Sequence, residues 1–164
     1  MINNYKDTKG MQKSKEYIQK TINTIEKEII KLFRHNRFRH SIIVALYAGK
    51  KLPKYCVQMT RKPASFNSIP LNNNFAKIYF SAIKESPSFK DGVILIQVDC
   101  VPPIVKGFSY RIYPPPLNIQ RLINKGSGYN SSLDFSDVRN VVCVYFIKGR
   151  EIKKFTRGKE ELLC

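Results

Sequence analysis

The ten positions from Lys31 to His40 hold Lys31, Arg34, Arg37 and Arg39, both histidines of the chain, His35 and His40, and the phenylalanines Phe33 and Phe38. A guanidinium presents a planar fork of donors that matches a phosphate, and it also stacks on an exposed base. An imidazole titrates near neutrality, so beside a 2′-hydroxyl it could serve as general base or acid. The chemistry of this cluster is therefore polyanion contact first and proton transfer second. Asp134 or Asp137 followed by Glu151 and Lys153 has the order of a metal-dependent nuclease site, but three ionisable groups at loose spacing specify little. Lys125-Gly126-Ser127-Gly128 has the composition of an anion-binding nest, although a flexible connector is the simpler reading. Gly49-Lys50-Lys51 is not a phosphate loop, because the earlier glycine is absent and no Ser or Thr follows the lysine.

The four cysteines, Cys56, Cys100, Cys143 and Cys164, never form a close pair, so zinc-ribbon and zinc-finger spacings are excluded. They read as reduced thiols of an intracellular chain. No cofactor and no metal is expected.

The elements that must position the basic cluster begin with an amphipathic helix. Ile18, Ile22, Ile25, Ile29, Leu32 and Phe33 recur three or four apart from Ser14 to Phe33. Lys13, Lys20, Lys27, Lys31 and Arg34 then fall on the opposite side, interrupted by Glu16. A second helix is expected to follow, with Phe38, Ile42, Ile43, Leu46 and Tyr47 on one side and Gly49 as its stop. The β-branched trio Ile42, Ile43 and Val44 makes a strand the alternative. Lys50, Lys51 and Lys54 around Pro53, then Arg61 and Lys62, extend the basic territory.

Farther on, Tyr55 to Thr60 predicts a short strand, Asn74 to Glu85 a helix, and Gly92 to Asp99 a central strand. Phe108 to Tyr113 predicts a strand with one wet face, Leu117 to Asn124 a short helix, and Gly126 to Asp137 a loop. Asn140 to Lys148 and Glu151 to Thr156 predict the last two strands. The fold class expected is α+β: a long N-terminal helix, or a helical pair, followed by an antiparallel sheet with helices in a ferredoxin-like βαββαβ order. The division expected is a polar tail over 1–13 and one domain over 14–164, its basic helical part at 14–50 and its sheet-containing body at 51–164.

The octet Lys106-Gly107-Phe108-Ser109-Tyr110-Arg111-Ile112-Tyr113 resembles the RNP1 motif of the RNA recognition motif family, which implies that Phe108 and Tyr110 stack on bases. It departs from that motif at Arg111, where the family places a core aliphatic. Strand alternation instead buries Phe108, Tyr110 and Ile112 and leaves Arg111 in solvent. Arg34 and His40 have the approximate spacing of the Arg-x-His motif of the HEPN ribonucleases. That family is wholly helical, whereas this chain is rich in strands.

The chain carries 29 Lys and Arg against 12 Asp and Glu, a net charge of +17. Abundant Lys, Asn, Ile and Tyr are what an AT-rich genome produces, yet such drift does not remove acidic residues. Residues 1–62 hold a net +11 of this charge, so the first third dominates the field. No apolar run approaches the ~20 residues of a membrane span, and residues 1–10 lack the apolar stretch of a secretory signal. The expectation is an intracellular, non-catalytic RNA-binding or ribonucleoprotein component, with RNA favoured over DNA, a membrane disfavoured and a protein partner in a larger assembly allowed. Its contacts would be Lys13, Lys20, Lys27, Lys31, Arg34, His35, Arg37, Arg39, His40, Lys50, Lys51, Lys54, Arg61 and Lys62. The alternatives are a small ribonuclease using His and Arg at 34–40 and a protein- or membrane-docking module with a basic face.

Overall fold

A computed structural model of the chain describes residues 5–34, 38–59, 66–117 and 125–164, apart from the side chains of 5–11, 13, 38 and 39. Helix α1 spans Tyr5–Arg34, and strands β1 Phe38–Tyr47, β2 Cys56–Gln58 and β3 Ile69–Pro70 follow it. Helix α2, Phe75–Glu85, leads through a 3₁₀ turn at Pro87–Lys90 into β4 Val93–Gln97 and β5 Ile104–Ile112. Helix α3, Ser127–Phe135, precedes β6 Val141–Gly149, β7 Glu151–Thr156 and β8 Lys159–Leu162. The result is a mixed α+β fold with one eight-stranded sheet in the order β2-β5-β4-β1-β6-β7-β8, β3 pairing β5 at the side.

Two expectations are corrected here. The second helix of the proposed helical pair is strand β1: in extended backbone its even and odd residues face opposite ways, and Ile42, Ile43, Val44, Ala45, Leu46 and Tyr47 are all buried. A helix would bury only one stripe of that run. The all-antiparallel βαββαβ order does not describe this sheet either. β1 pairs parallel with β4, Ile43 opposite Val93 and Tyr47 opposite Gln97, and antiparallel with β6 on its other side.

The sheet separates two cores. On one face α1 and α2 pack Ile22, Ile25, Ile29, Leu32, Phe33, Phe75 and Tyr79 onto Ile42, Val44, Leu46, Ile94 and Ile96. On the other, α3 packs Tyr129, Leu133 and Phe135 onto Ile43, Ala45, Tyr47, Val144, Phe146 and Phe155. Replacing a fully buried side chain such as Ile29 with Ala would cost about 2–5 kcal/mol. The helix expected at Leu117 to Asn124 falls almost wholly outside the described residues.

α3 forms where the sequence predicts a loop. Gly, Ser and Asn favour turns when only local preference acts. Here Tyr129, Ser132, Leu133 and Phe135 are buried together, and the serine hydroxyls at 132 and at the C-cap are satisfied locally: Ser132 Oγ donates to Gly128 O at 2.7 Å and Ser136 Oγ to Leu133 O at 2.7 Å. Tertiary burial overrides propensity.

Candidate functional site: a cationic cleft at the start of a helix

A cleft of about 780 Å³ lies between the first turn of α3 and the β6–β7 hairpin. Its lining includes Ser41 of β1, Lys125 to Tyr129, Lys148, Arg150, Glu151 and Lys153. Three separate segments deliver the four cations. Lys125 comes from the approach to α3, Lys148 and Arg150 from the hairpin, and Lys153 from the cleft-facing side of β7. Lys148 pairs with Glu151 across the hairpin, which leaves Gly149 and Arg150 as a two-residue turn. Gly149 has φ 63°, the left-handed conformation such a turn requires.

Gly126 stands at the N-cap of α3 in extended conformation, and among the described residues no side chain caps the first turn. Its leading N–H groups therefore point outward without the oxygen that Ser, Thr or Asp would supply. A Cβ on Gly128 would meet Phe146 Cε2 at 3.4 Å, Ile43 Cδ1 at 3.7 Å and Ser41 Oγ at 3.9 Å, which is ordinary contact, so the packing of the helix start on the sheet leaves room for a methyl group there. Free N–H groups and a positive helix end are what an anion requires. A volume of this size holds an organic body as well as a phosphate.

The floor is Tyr129. Lys125 Nζ lies 5.2 Å and Lys153 Nζ 5.4 Å from its ring centroid, so one aromatic ring attracts two ammonium groups. The Tyr129 hydroxyl donates a short hydrogen bond to Glu160 Oε2, and Lys153 Nζ lies 2.6 Å from Glu160 Oε1. Burial and then the bond to Glu160 push the Tyr129 phenol up to about 12. Desolvation raises the Glu160 carboxyl, but the bonds from Lys153 and Tyr129 outweigh it and hold the group below its ordinary value. Lys153 is raised in turn, chiefly by its bond to Glu160.

The residues expected to touch a polyanion are dispersed. Lys20, Lys27, Lys31 and Arg34 are exposed on α1. Lys20 also borders a smaller cleft of about 220 Å³ with Tyr17, Thr21, Thr24, Glu28 and Leu71, where Glu28 is already engaged as acceptor of the Phe75 N–H at 3.0 Å. Lys50, Lys51 and Lys54 are exposed beyond the C-terminal end of β1, whereas His40 is near its start, roughly 25 Å away along an extended strand. His40 is half-buried, and its pKa is lowered by burial first and by Lys90 second, with Asp91 opposing. The side chains of Lys13, His35, Arg37, Arg39, Arg61 and Lys62 lie outside the described residues.

The octet resembling RNP1 does not offer Phe108 and Tyr110 to bases; Tyr113 at its end is exposed. Ser109 has φ 60°, which breaks the alternation, so Phe108 enters the α1–α2 core and Tyr110 the α3 core. Arg111 is exposed. The nuclease-like order is not assembled: Asp134 is buried and accepts the Leu117 N–H at 3.0 Å, while Glu151 borders the cationic cleft. Among the described residues no group of His, Cys, Asp and Glu could hold a metal ion. Lys125, Lys148, Arg150 and Lys153 were absent from the expected polyanion contacts, although Lys125 stood in the run with the composition of an anion-binding nest and Lys153 in the nuclease-like order. Their signal was the Lys148-Gly149-Arg150 turn together with the glycines at 126 and 128, which only the packing of α3 on the sheet brings together.

No family model matches the chain, and no curated protein matches it. Solved structures do. One is described as a hypothetical membrane spanning protein from Bacillus cereus, with TM-score 0.60 and 10% identity over 88% of this chain. This chain spans 63% of the length of that one. Another is DacA from Staphylococcus aureus, a double mutant, with TM-score 0.51 and 14% identity over 88% of this chain and 86% of that chain. At such identities the likeness is one of fold. These neighbours correct the functional expectation: the scaffold is shared with a protein described as membrane spanning and with DacA. The RNA-binding or ribonucleoprotein reading is set aside. Among the described residues no helix is long and apolar enough to cross a membrane.

Proposed function

We propose that this chain binds a phosphorylated small molecule in the cleft at the start of α3. The observation that carries the reading is the convergence of Lys125, Lys148, Arg150 and Lys153 on an uncapped helix N-terminus whose first turn is Ser127-Gly128-Tyr129. The phosphate accepts hydrogen bonds from the leading N–H groups, and Lys125, Lys148 and Arg150 supply the counter-charge. The organic body occupies the rest of the cleft, against Phe146 and the hairpin. The likeness to DacA concerns the backbone path and brings no ligand with it.

Isothermal titration of the full chain with inorganic phosphate, pyrophosphate and adenosine monophosphate tests this. Saturable binding that weakens with ionic strength, and that is lost in the Lys125→Gln/Lys148→Gln variant, is the expected result. Heats that never saturate with any of the three, or binding untouched by the double substitution, would remove the site.

A further inference from the structure

At the other end of the sheet an edge is left open. β2 stands last in the strand order, and among the described residues no strand pairs with its outer side. Tyr55 O accepts the Tyr113 N–H at 2.9 Å and the Met59 N–H donates to Ser109 O at 2.9 Å, so the odd residues of this stretch are the ones bonded to β5. Alternation then turns the main-chain groups of Cys56 and Gln58 to the open side. Beside that edge Tyr55, Val57, Met59 and Tyr113 are exposed by 40%, 50%, 45% and 56%, and the two tyrosine rings pack edge to face. An edge guarded against pairing carries charge on the strand itself, whereas here the exposed side chains at 55, 57 and 59 are apolar or aromatic. Charge stands at the flanks instead. Segments 50–59 and 104–113 hold Lys50, Lys51, Lys54, Lys106 and Arg111 and no Asp or Glu, and Arg111 is directly opposite Val57. The acidic groups nearby each stand next to a cation: Asp91 follows Lys90 beside Gly92, against which the Met59 methyl lies, and Asp137 shares the cleft under Lys54 and Tyr55 with Arg139.

We infer that β2 is a docking edge for an extended acidic segment of a partner protein, which adds to the sheet as a further strand. Main-chain bonds to Cys56 and Gln58 supply the pairing, and alternate apolar side chains of the segment lie against Val57, Met59 and the tyrosine pair. Its carboxylates reach Lys54 and Arg111. Charge decides between occupants. A second copy laid on the same edge about a twofold axis brings Lys54 and Arg111 of each chain toward those of the other, and each chain carries +17. An acidic segment meets the same groups with the opposite sign. β5, β4 and β1 separate β2 from β6, roughly 20 Å at the usual strand spacing, so the docked segment leaves the cleft at the start of α3 open.

The test is fluorescence polarisation of the full chain with a short labelled peptide of alternating glutamate and valine. Two controls accompany it: a lysine and valine peptide of equal length, and the glutamate and valine peptide N-methylated throughout, which keeps the charge and side chains but has no donors for strand pairing. Saturable binding of the first peptide alone is expected, together with protection of the Cys56 and Gln58 amides from hydrogen exchange. Val57→Glu should weaken it roughly tenfold or more, because a carboxylate then faces the carboxylates of the peptide. Arg111→Gln, which leaves the apolar surface intact, should weaken it by a smaller factor. Phosphate binding is expected to be unchanged in both variants. No saturation with the first peptide, equal binding of its N-methylated form, or unchanged binding to Val57→Glu overturns the inference. A wild-type chain that sediments as a dimer, and that Val57→Glu returns to monomer, assigns the edge to a second copy and overturns it as well.

Discussion

Lys153 and Lys154, successive residues of β7, capture carboxylates on opposite faces of the sheet. Lys153 Nζ lies 2.6 Å from Glu160 beside the cleft, and Lys154 Nζ lies 2.5 Å from Glu26 of α1. The period-two alternation of a strand places one ammonium in each layer. The first pair shapes the candidate site and the second fastens α1 to the sheet, where Glu26 Oε2 also accepts the Tyr145 hydroxyl at 2.9 Å.

Removing the α1 fastening should therefore destabilise the fold without touching the cleft. Glu26→Ala leaves Lys154 and the Tyr145 hydroxyl without their acceptor. Both are largely withdrawn from water, so the loss is expected to be about 2–3 kcal/mol in urea unfolding. Glu26→Ala combined with Lys154→Met should recover part of that loss, because the stranded charge is removed as well. A double variant no more stable than the single one would contradict the pairing.

The Glu160 pair predicts a pH dependence on the acid side. The folded-state pKa of Glu160 is lowered from an ordinary 4.5, so its contribution to stability is complete above that value and is lost as pH falls through the lower folded value. Thermal melts of wild type and Glu160→Gln should run parallel above about pH 4.5 and converge below it. Parallel curves across the whole acid range would show that the carboxylate gains nothing from Lys153 and Tyr129.

Gly128 separates the needs of the helix from those of the ligand. Its backbone is not left-handed, and an added Cβ makes contacts no closer than 3.4 Å. Gly128→Ala is therefore expected to leave stability unchanged or raise it by up to about 1 kcal/mol. The methyl group fills space beside Ser41, on the cleft lining, so phosphate affinity should fall even though the melting temperature does not. Loss of both together would mean that the glycine is required for packing alone.

Much of the layout could be read from periodicity. The spacing that singled out Ile22, Ile25, Ile29, Leu32 and Phe33 picked side chains that are all buried. The continuous apolar run at 92–99 and the one at 140–148 became β4 and β6, the strands on either side of β1. β1 was misread because Phe38, Ile42, Ile43, Leu46 and Tyr47 also satisfy a helical stripe. What decides against the helix is burial on both faces by α1 and α3, which only the assembled layers reveal. The site was harder still. Lys125 and Lys153 are 28 positions apart and meet over one tyrosine ring only because α3, itself read as a loop, docks on β6 and β7. The most crowded basic stretch drew attention by density along the chain, whereas the cleft is built from single cations that are dense only in space.

The most direct test of the central claim is a heteronuclear NMR titration of the full chain with adenosine monophosphate, following backbone amides. The account predicts saturable shifts, largest at Ser127, Gly128 and Tyr129, with smaller ones along the hairpin at Lys148 to Glu151. Shifts that stay linear in ligand, or that centre on the exposed lysines of α1 while the start of α3 is unmoved, would contradict it.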